Sequence, residues 1–255
     1  MIFAPNTAIS KSTATLLITV QAGFLLLLWI FSPFVFFPSA SETLQAFISL
    51  WNAGLVTDLV TSLTLNLEAI GVATTISLLI AYSYTIPFCR PLVSFISKLR
   101  FLSLVGLTFF FTLATKDGHM LKLDLLAFSI IVFFVTSMVD VIANIPQKEL
   151  DLARTLRMKP WRVVFEVVVL GQADKAFDVL RQNSAIGWMA LTMVEGMSRS
   201  EGGIGALLMT QNKHFHLSSV LAIQLTIMLL GLAQDYGIGV MRNMFCPYAN
   251  LKKVS

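Results

Sequence analysis

Two rows of polar side chains stand in stretches of the sequence that are otherwise almost wholly apolar. In the first row, Ser184, Trp188, Thr192 and Glu195 recur at i, i+4, i+8 and i+11, so they share one side of a helix. Exposing a carboxyl group such as Glu195 to lipid costs several kcal/mol, so an ionisable residue inside a membrane span marks a functional site by default. The chemistry this row predicts is solute binding along a path, with no catalytic residue.

The second row has the same spacing, with Thr64, Glu68, Gly71 and Thr75 on one helical side. We expect the two rows to face each other, or the rows of a second copy, across a central path that a solute follows. The sequence leaves an alternative open, in which these side chains only form hydrogen bonds with neighbouring helices.

Four other polar residues give weaker signals. Asp140 and Asp235 fall near predicted span ends, where we expect them to be solvated. His214 and His216 lie close together without a nearby cysteine or carboxylate, so no metal site is predicted. Their segment is expected to be an outer loop that contacts a partner or only solvent.

The composition indicates that lipid surrounds these elements. The chain of 255 residues is 56% hydrophobic and 13% charged, against about 25% charged in soluble domains. The charge-free run from Ser12 to Ser41 is too long for the apolar region of a signal peptide and favours a span. We predict an all-α integral membrane protein, a single domain over residues 1–255 with about six spans, near residues 12–37, 62–86, 96–115, 122–144, 178–197 and 217–241.

The distribution of lysine and arginine predicts the orientation. With six spans, both termini and the connections on their side hold fourteen of the 18 cationic residues, including Lys11, Lys252 and Lys253. Cytoplasmic loops carry such an excess, so both termini are expected in the cytoplasm. The opposite side holds only Lys116, Lys122, Arg199 and Lys213.

A surface helix is predicted over residues 39–54, between the first two spans. Ser39 followed by Glu42 has the spacing of a capping box. An apolar row then follows at helical spacing: Leu44, Phe47, Ile48, Trp51 and Leu55. We expect this row to lie along the outer membrane surface or to pack over the ends of the spans.

The charges of the chain are concentrated in residues 146–170, which we call the charged segment. Eight of the 32 charged residues lie in the nineteen positions from Lys148 to Glu166. Pro146 and Pro160 suit the first turns of two short helices, and Asp151 and Arg154 have the spacing of an ion pair. Leu150, Ala153 and Leu156 are expected on one side. The segment predicts a helix–turn–helix that binds a soluble partner, with an ordinary solvated loop as the alternative.

The charged segment resembles the EAA loop of binding-protein-dependent ABC importer permeases. Asp151 stands where that family has Glu, Leu152 and Ala153 where it has two alanines, and Arg154 to Leu156 follow as expected. Residues 179–208 and the last span resemble the nitrate/sulfonate/taurine/bicarbonate branch, and the similarity runs from about residue 15 onward. The resemblance implies the type I importer transmembrane fold, and it implies that the charged segment couples to an ATPase through Glu149, Asp151, Leu152, Ala153, Arg154, Leu156, Arg157 and Met158.

Two residues depart from the family pattern. Arg157 replaces the loop glycine and Gly171 replaces the proline of a later Leu-Pro. A helix C-terminal glycine usually takes a left-handed conformation, which costs other residues about 1–2 kcal/mol. Either the turn therefore differs in shape or the chain tolerates this strain.

The resemblance implies an importer permease of the bacterial inner membrane that works by alternating access. The expected partners are ABC ATPases, an extracytoplasmic substrate-binding protein, a second permease copy and the lipid bilayer, with no nucleic acid. The chain has no phosphate-binding loop motif, so ATP and Mg²⁺ are expected on the separate ATPase. Candidate solutes are a nitrate-, sulfonate- or taurine-like anion or a small vitamin precursor. Two rival functions stay open, a degenerate permease serving as scaffold or sensor and an integral membrane lipid-modifying enzyme.

Overall fold

A computed structural model describes residues 10–30, 37–198 and 202–248, and all the regular structure in these residues is helical. Arg199, Lys252 and Lys253, which the orientation prediction uses, lie outside the described residues, as does part of the predicted first span. The longer helices are α1 (Lys11–Ile30), α3 (Leu55–Ser83), α6 (Gly118–Ala143), α9 (Ala173–Met197) and α11 (Leu217–Phe245). The shorter ones are α2 (Ala40–Asn52), α4 (Arg90–Lys98), α5 (Leu104–Ala114), α7 (Gln147–Thr155), α8 (Pro160–Val163) and α10 (Ile204–Lys213).

Four helices of the described chain are long and apolar enough to cross a membrane, namely α1, α3, α6 and α11. A fifth crossing is possible through the pair that α4 and α5 form. The remaining predicted span became α9, which begins earlier than expected and is less apolar. The prediction of an all-α membrane fold is confirmed, while the count of six spans is not.

The predicted third span over residues 96–115 is not one straight helix. The chain bends by 110° between Arg90–Phe101 and Leu104–Ala114. Leu102 and Ser103 have extended backbones, with ψ of 135° and 127°, which end one helix and start the next. Lys98 and Arg100 lie before this bend, so the chain keeps both cations out of the second half.

The core lies where α3, α6 and α9 pack together. Ala69 and Ala73 of α3 are fully buried, and such small residues let helix backbones approach closely. Leu126 and Ile130 of α6 and Leu191 of α9 fill the same cluster. This three-helix core positions the polar rows that the sequence analysis singled out.

The surface helix α2 confirms the predicted capping box, because Ser39 accepts from the Glu42 backbone and the Glu42 carboxylate accepts from the Ser39 N–H. Of the predicted apolar row, only Leu55 and Phe47 pack in or against the protein core. Thr43, Ala46 and Leu50 are also buried, while Leu44, Ile48 and Trp51 of that row stay exposed. This arrangement leaves an open apolar side, as the membrane-surface alternative predicts.

Candidate functional site

Helix α9 buries most of the row that was expected to line a path. Ser184, Trp188 and Glu195 are buried inside the single chain, and only Thr192 is partly exposed. The Ser184 hydroxyl donates to its own helix, at 2.7 Å from Arg181 O. Within one chain the two rows therefore do not face each other.

Trp188 takes part in a hydrogen-bonded group between three helices. Its Nε1 donates to Gln234 Oε1 of α11 at 2.9 Å, and Asn66 Nδ2 of α3 donates to the same oxygen at 2.9 Å. Gly231, one turn before Gln234, lies against the indole ring. Trp188 thus joins α3, α9 and α11. Neither Gln234 nor Asn66 carries a pattern in the sequence that singles it out.

Glu195 accepts hydrogen bonds inside what we call the Glu195 cluster, which comprises Asp58, Ser62, Lys122, Glu195 and residues 202–205. Ser62 Oγ donates to the carboxylate at 2.7 Å, and the Gly205 N–H donates to it at 2.8 Å. The carboxylate is fully buried. Within the cluster, Glu195 holds the start of α10 and matches the alternative in which it bonds to neighbouring helices.

The remaining contacts of the cluster hold the turn that precedes α10. The Ile204 N–H donates to Ser62 Oγ at 2.8 Å, and the Gly203 N–H donates to Asp58 Oδ1 at 3.1 Å. Buried Lys122 donates to Gly202 O at 3.2 Å. The free N–H groups at the start of a helix attract anions, and here two carboxylates and a hydroxyl from α3 and α9 satisfy them.

The row on α3 is exposed over its whole length, through Thr64, Glu68, Gly71 and Thr75. The hydroxyls of Thr64 and Thr75 donate to backbone oxygens of their own helix, at 2.9 Å from Val60 O and Gly71 O. Glu68 lies 3.1 Å from His119 Nε2 at the start of α6. Sequence reasoning missed His119, which has no spacing relation to Glu68.

A cavity of about 490 Å³ lies beside Thr192, between α5, α9, α10 and α11. Three methionines line it, and Met is a flexible residue that adapts to irregular ligands. Its polar side chains include Thr192, Asn212 and Gln224, and none of the described residues that line it is charged. The methionines are Met193, Met197 and Met209.

The charged segment exposes apolar residues different from those expected. Ala153 is buried and Leu150 is half-buried, so that side of α7 faces the protein. Leu152 and Leu156 are 61% and 60% exposed, and Trp161 after the turn is 72% exposed. Asp151 and Arg154 form the predicted ion pair at 3.0 Å beside them. The segment therefore has an open apolar centre with charges around it.

Arg157 resolves the question that its substitution for glycine raised. It takes a left-handed conformation with φ of 51°. Its N–H donates to Arg154 O at 2.9 Å, and the Met158 N–H donates to Ala153 O at 3.1 Å. This is the Schellman pattern that glycine usually completes, so the turn keeps its shape and bears the strain.

The second helix of the charged segment begins as an α-helix and continues as a π-helix. After α8, residues Val164–Leu170 form a π-helix, and Gly171 donates to Glu166 O at 3.0 Å. A side chain on Gly171 would collide with Val167 O, so the chain has no room there for the proline of the family. Tyr248 donates to Leu170 O at 3.0 Å, and partial desolvation raises the pKa of Tyr248 to about 12. Gln172, just after the segment, donates to Glu149 Oε2 of α7 at 3.2 Å.

The prediction that Asp235 is simply solvated is wrong. Arg181 of α9 donates to both of its carboxylate oxygens, one at 2.9 Å. A second pair joins the same two helices in the opposite sense, with Arg242 of α11 at 3.2 Å from Asp178 of α9.

The His214 and His216 rings stack and each contacts α10, at 2.8 Å from Thr210 O and Gln211 Oε1.

Comparison with known proteins gives two relatives, and no family model matches the chain. The Bicarbonate transport system permease protein CmpB of Synechocystis sp. is 24% identical over 126 residues, which cover 47% of this chain and 45% of the relative. The Putative ABC transporter permease protein MJ0413 of Methanocaldococcus jannaschii is 24% identical over 112 residues, which cover 44% of this chain and 42% of the relative. The matches thus span less than half the length of either relative. The resemblance to ABC permeases of the bicarbonate-type branch is confirmed, and the chain is a multi-pass membrane protein.

Proposed function

We propose that this chain, similar to two transport permeases, is the membrane permease subunit of an ATP-driven ABC importer. It works with a second permease copy, ABC ATPases and an extracytoplasmic binding protein in a bacterial inner membrane, with both termini in the cytoplasm. ATP hydrolysis takes place on the ATPase. The permease is a two-state element whose equilibrium is shifted by ligands that bind its two states with different affinity.

One observation carries the proposal, namely the exposed apolar centre of the charged segment. Leu152, Leu156 and Trp161 are large apolar side chains exposed on a short, charged helix–turn–helix. Interfaces concentrate their binding energy in such central apolar and aromatic anchors, with charged groups around them. Ala153 is buried and packs α7 against the rest of the chain, so a partner that moves the charged segment also moves the helices behind it.

The cavity beside Thr192 favours one of the two candidate solute classes. Among the described residues no cation lines it to balance an inorganic anion, while its methionines suit an apolar solute body. Thr192, Asn212 and Gln224 supply hydrogen-bonding groups for orientation. We favour a small, uncharged, partly apolar solute such as a vitamin precursor over a nitrate-like anion.

The proposal is tested by purifying the tagged chain in mild detergent from its own host and identifying its companions by mass spectrometry. We expect an ATPase with a phosphate-binding loop in fixed ratio to the permease. Leu152→Asp with Leu156→Asp places two charges in the apolar centre, and we expect the recovered ATPase to fall at least about tenfold. Met244→Asp changes another exposed apolar residue near the end of α11 and is the matched control, with ATPase recovery unchanged.

A charge exchange separates docking from folding. Asp151→Lys with Arg154→Glu keeps an ion pair within α7 but reverses the charges that a partner meets. We expect this variant to purify normally and to lose the ATPase. An ATPase retained by both double variants contradicts the assignment of the charged segment, and no ATPase even after crosslinking supports the scaffold alternative. A binding protein in the same preparation then identifies the solute class.

A further inference from the structure

The segment from Phe88 to Phe101, which we call the α4 segment, takes no part in the proposed function. It contains α4 and a following 3₁₀ turn, Leu99–Phe101, and forms the first half of the bent pair. Because the bend is 110°, α4 runs across the direction of α5. Val93 is buried against the core, and the rest of the segment is largely exposed.

The α4 segment has an apolar side without a protein partner among the described residues. Phe88 is 90% exposed, Phe101 79%, and Leu92 and Phe95 61% each. Leu92, Phe95 and Leu99 recur at i, i+3 and i+7, so they share one side of the helix. A short helix with exposed Phe and Leu on one side is typical of a membrane interface.

Three cations surround this apolar side, with Arg90 on the opposite side of α4 and Lys98 and Arg100 flanking it, and the segment contains no carboxylate. Arg90, Lys98 and Arg100 are exposed, and none of them forms an ion pair within the described chain. The sequence has no Asp or Glu between Glu68 and Asp117. Arg90 lies over the Tyr84 ring and Arg100 over the Phe101 ring, contacts that leave both charges in place.

The depth of α4 in the fold fits a membrane interface. Thr136 Oγ donates to Ser97 O at 3.4 Å, which fixes the end of α4 beside α6. From Gly118 to Thr136, α6 rises about 27 Å, close to the ~30 Å thickness of the hydrocarbon core. Val179, two residues before the charged Arg181, packs in the same cluster as Met138. The α4 segment thus lies at the depth where charged residues such as Arg181 reappear at the ends of the apolar helices.

We infer that the α4 segment is an anionic-lipid site at the membrane surface. Leu92 and Phe95 enter the acyl-chain region, and Arg90, Lys98 and Arg100 bind the phosphate groups of acidic phospholipids. Charge complementarity selects these lipids, since each Lys or Arg near an anionic surface strengthens binding about fivefold. The site depends on membrane insertion and not on the ATPase or the transported solute.

The test uses a fluorescent label whose quenching reports contact with lipid. Cys89 and Cys246 are replaced by serine, and Phe95→Cys is labelled with bimane in the full chain. The protein is placed in phosphatidylcholine vesicles that contain a small fraction of spin-labelled lipid. Two samples are compared, in which the lipid with the spin label on its acyl chain is either phosphatidylglycerol or phosphatidylcholine. We expect several-fold stronger quenching by the spin-labelled phosphatidylglycerol.

Substitution of the cations tests their role. Arg90→Gln, Lys98→Gln and Arg100→Gln are each expected to lose part of the several-fold phosphatidylglycerol preference, and the triple variant is expected to lose all of it. Arg90→Lys with Arg100→Lys keeps the charges and is expected to retain the preference. A label at Leu229→Cys, exposed on α11, serves as the control and is expected to show no headgroup preference. It also reports correct insertion of each variant.

Three results would overturn the inference. The first is equal quenching of the Phe95→Cys label by both lipids, and the second is a preference that survives in the triple variant. The third is loss of the preference on addition of inorganic phosphate but not of sodium chloride at the same ionic strength, which identifies a site for soluble anions and not for lipid. The outcome does not depend on whether an ATPase co-purifies.

Discussion

At the scale of single residues, partners that are distant in sequence decide what each side chain does. The sequence predicts Glu195 as a special residue because a carboxyl group in a span is costly. It cannot predict that Ser62 and the Gly205 N–H satisfy it, since these groups lie 133 and 10 residues away along the chain. The sequence therefore indicates that Glu195 is important but does not indicate what its side chain binds.

Arg157→Gly is predicted to stabilise the chain. Glycine takes a left-handed φ without the steric cost of about 1–2 kcal/mol that other residues bear, though it loses part of this gain as entropy in the unfolded state. We expect a gain of about 1 kcal/mol, or about 2–4 °C in the melting temperature of the purified protein.

Arg157→Ala is the control for this change. It removes the same charge and most of the side chain but keeps the Cβ and hence the strain at φ of 51°. We expect no gain in melting temperature. An equal gain in both variants shows that charge, and not backbone strain, limits stability at this turn.

At the scale of helices, the sequence predicted which helices form better than it predicted which side of each helix is buried. The spacing of the α9 row is helical, and α9 forms, yet the side chains turned to the exterior include Met189, 75% exposed, while Trp188 is buried. In lipid, apolar residues face outward as readily as inward, so the apolar pattern that orients a soluble helix does not orient this one. Hydrogen bonds to Gln234 and Ser62 orient α9 instead.

The junction of α9 and α10 depends on Gly203, and Gly203→Ala is predicted to destabilise it. Gly203 has φ of 106°, and a Cβ there would overlap the Glu195 carboxylate. Because that carboxylate is buried and bonded, it has no free direction to move. We expect a loss of at least about 2 kcal/mol, measured as a lower melting temperature or as faster unfolding.

Gly237→Ala on α11 is the matched control for Gly203→Ala. A Cβ at Gly237 meets nothing within 4 Å, and the residue is inside a long helix. Alanine is favoured over glycine there by about 1 kcal/mol, so we expect an unchanged or raised melting temperature. A neutral Gly203→Ala would show that the Glu195 cluster does not hold the turn.

At the scale of the whole molecule, the exposed row on α3 indicates a side that does not meet lipid. Glu68 and His119 form an exposed pair between α3 and α6, two helices long and apolar enough to cross a membrane. Charged groups in spans face other protein or a water-filled space. Composition and the charge-free runs predicted the membrane and most helices. The path proposed between two copies requires a second chain, so the sequence of one chain does not define it.

The accessibility of Thr75→Cys tests this arrangement. In a chain lacking Cys89 and Cys246, we expect this cysteine to react with a charged, membrane-impermeant thiol reagent applied to opened vesicles. Leu229→Cys, on the exposed side of α11, is expected to react at least about tenfold more slowly, since thiolates form poorly in lipid. Equal rates at the two sites would place the α3 row in lipid and remove it from the path.

The crossed charge pairs at one end of α9 and α11 have a mechanical consequence. Along α9 the order is Asp178 then Arg181, and along α11 it is Asp235 then Arg242, so each arginine meets an aspartate in one alignment only. Sliding α11 along α9 toward Arg181 brings Arg242 beside a like charge and leaves both aspartates without partners. Shear between the two helices breaks both pairs at once, so we expect α11 to follow α9 when the end of α9 that carries Asp178 is displaced.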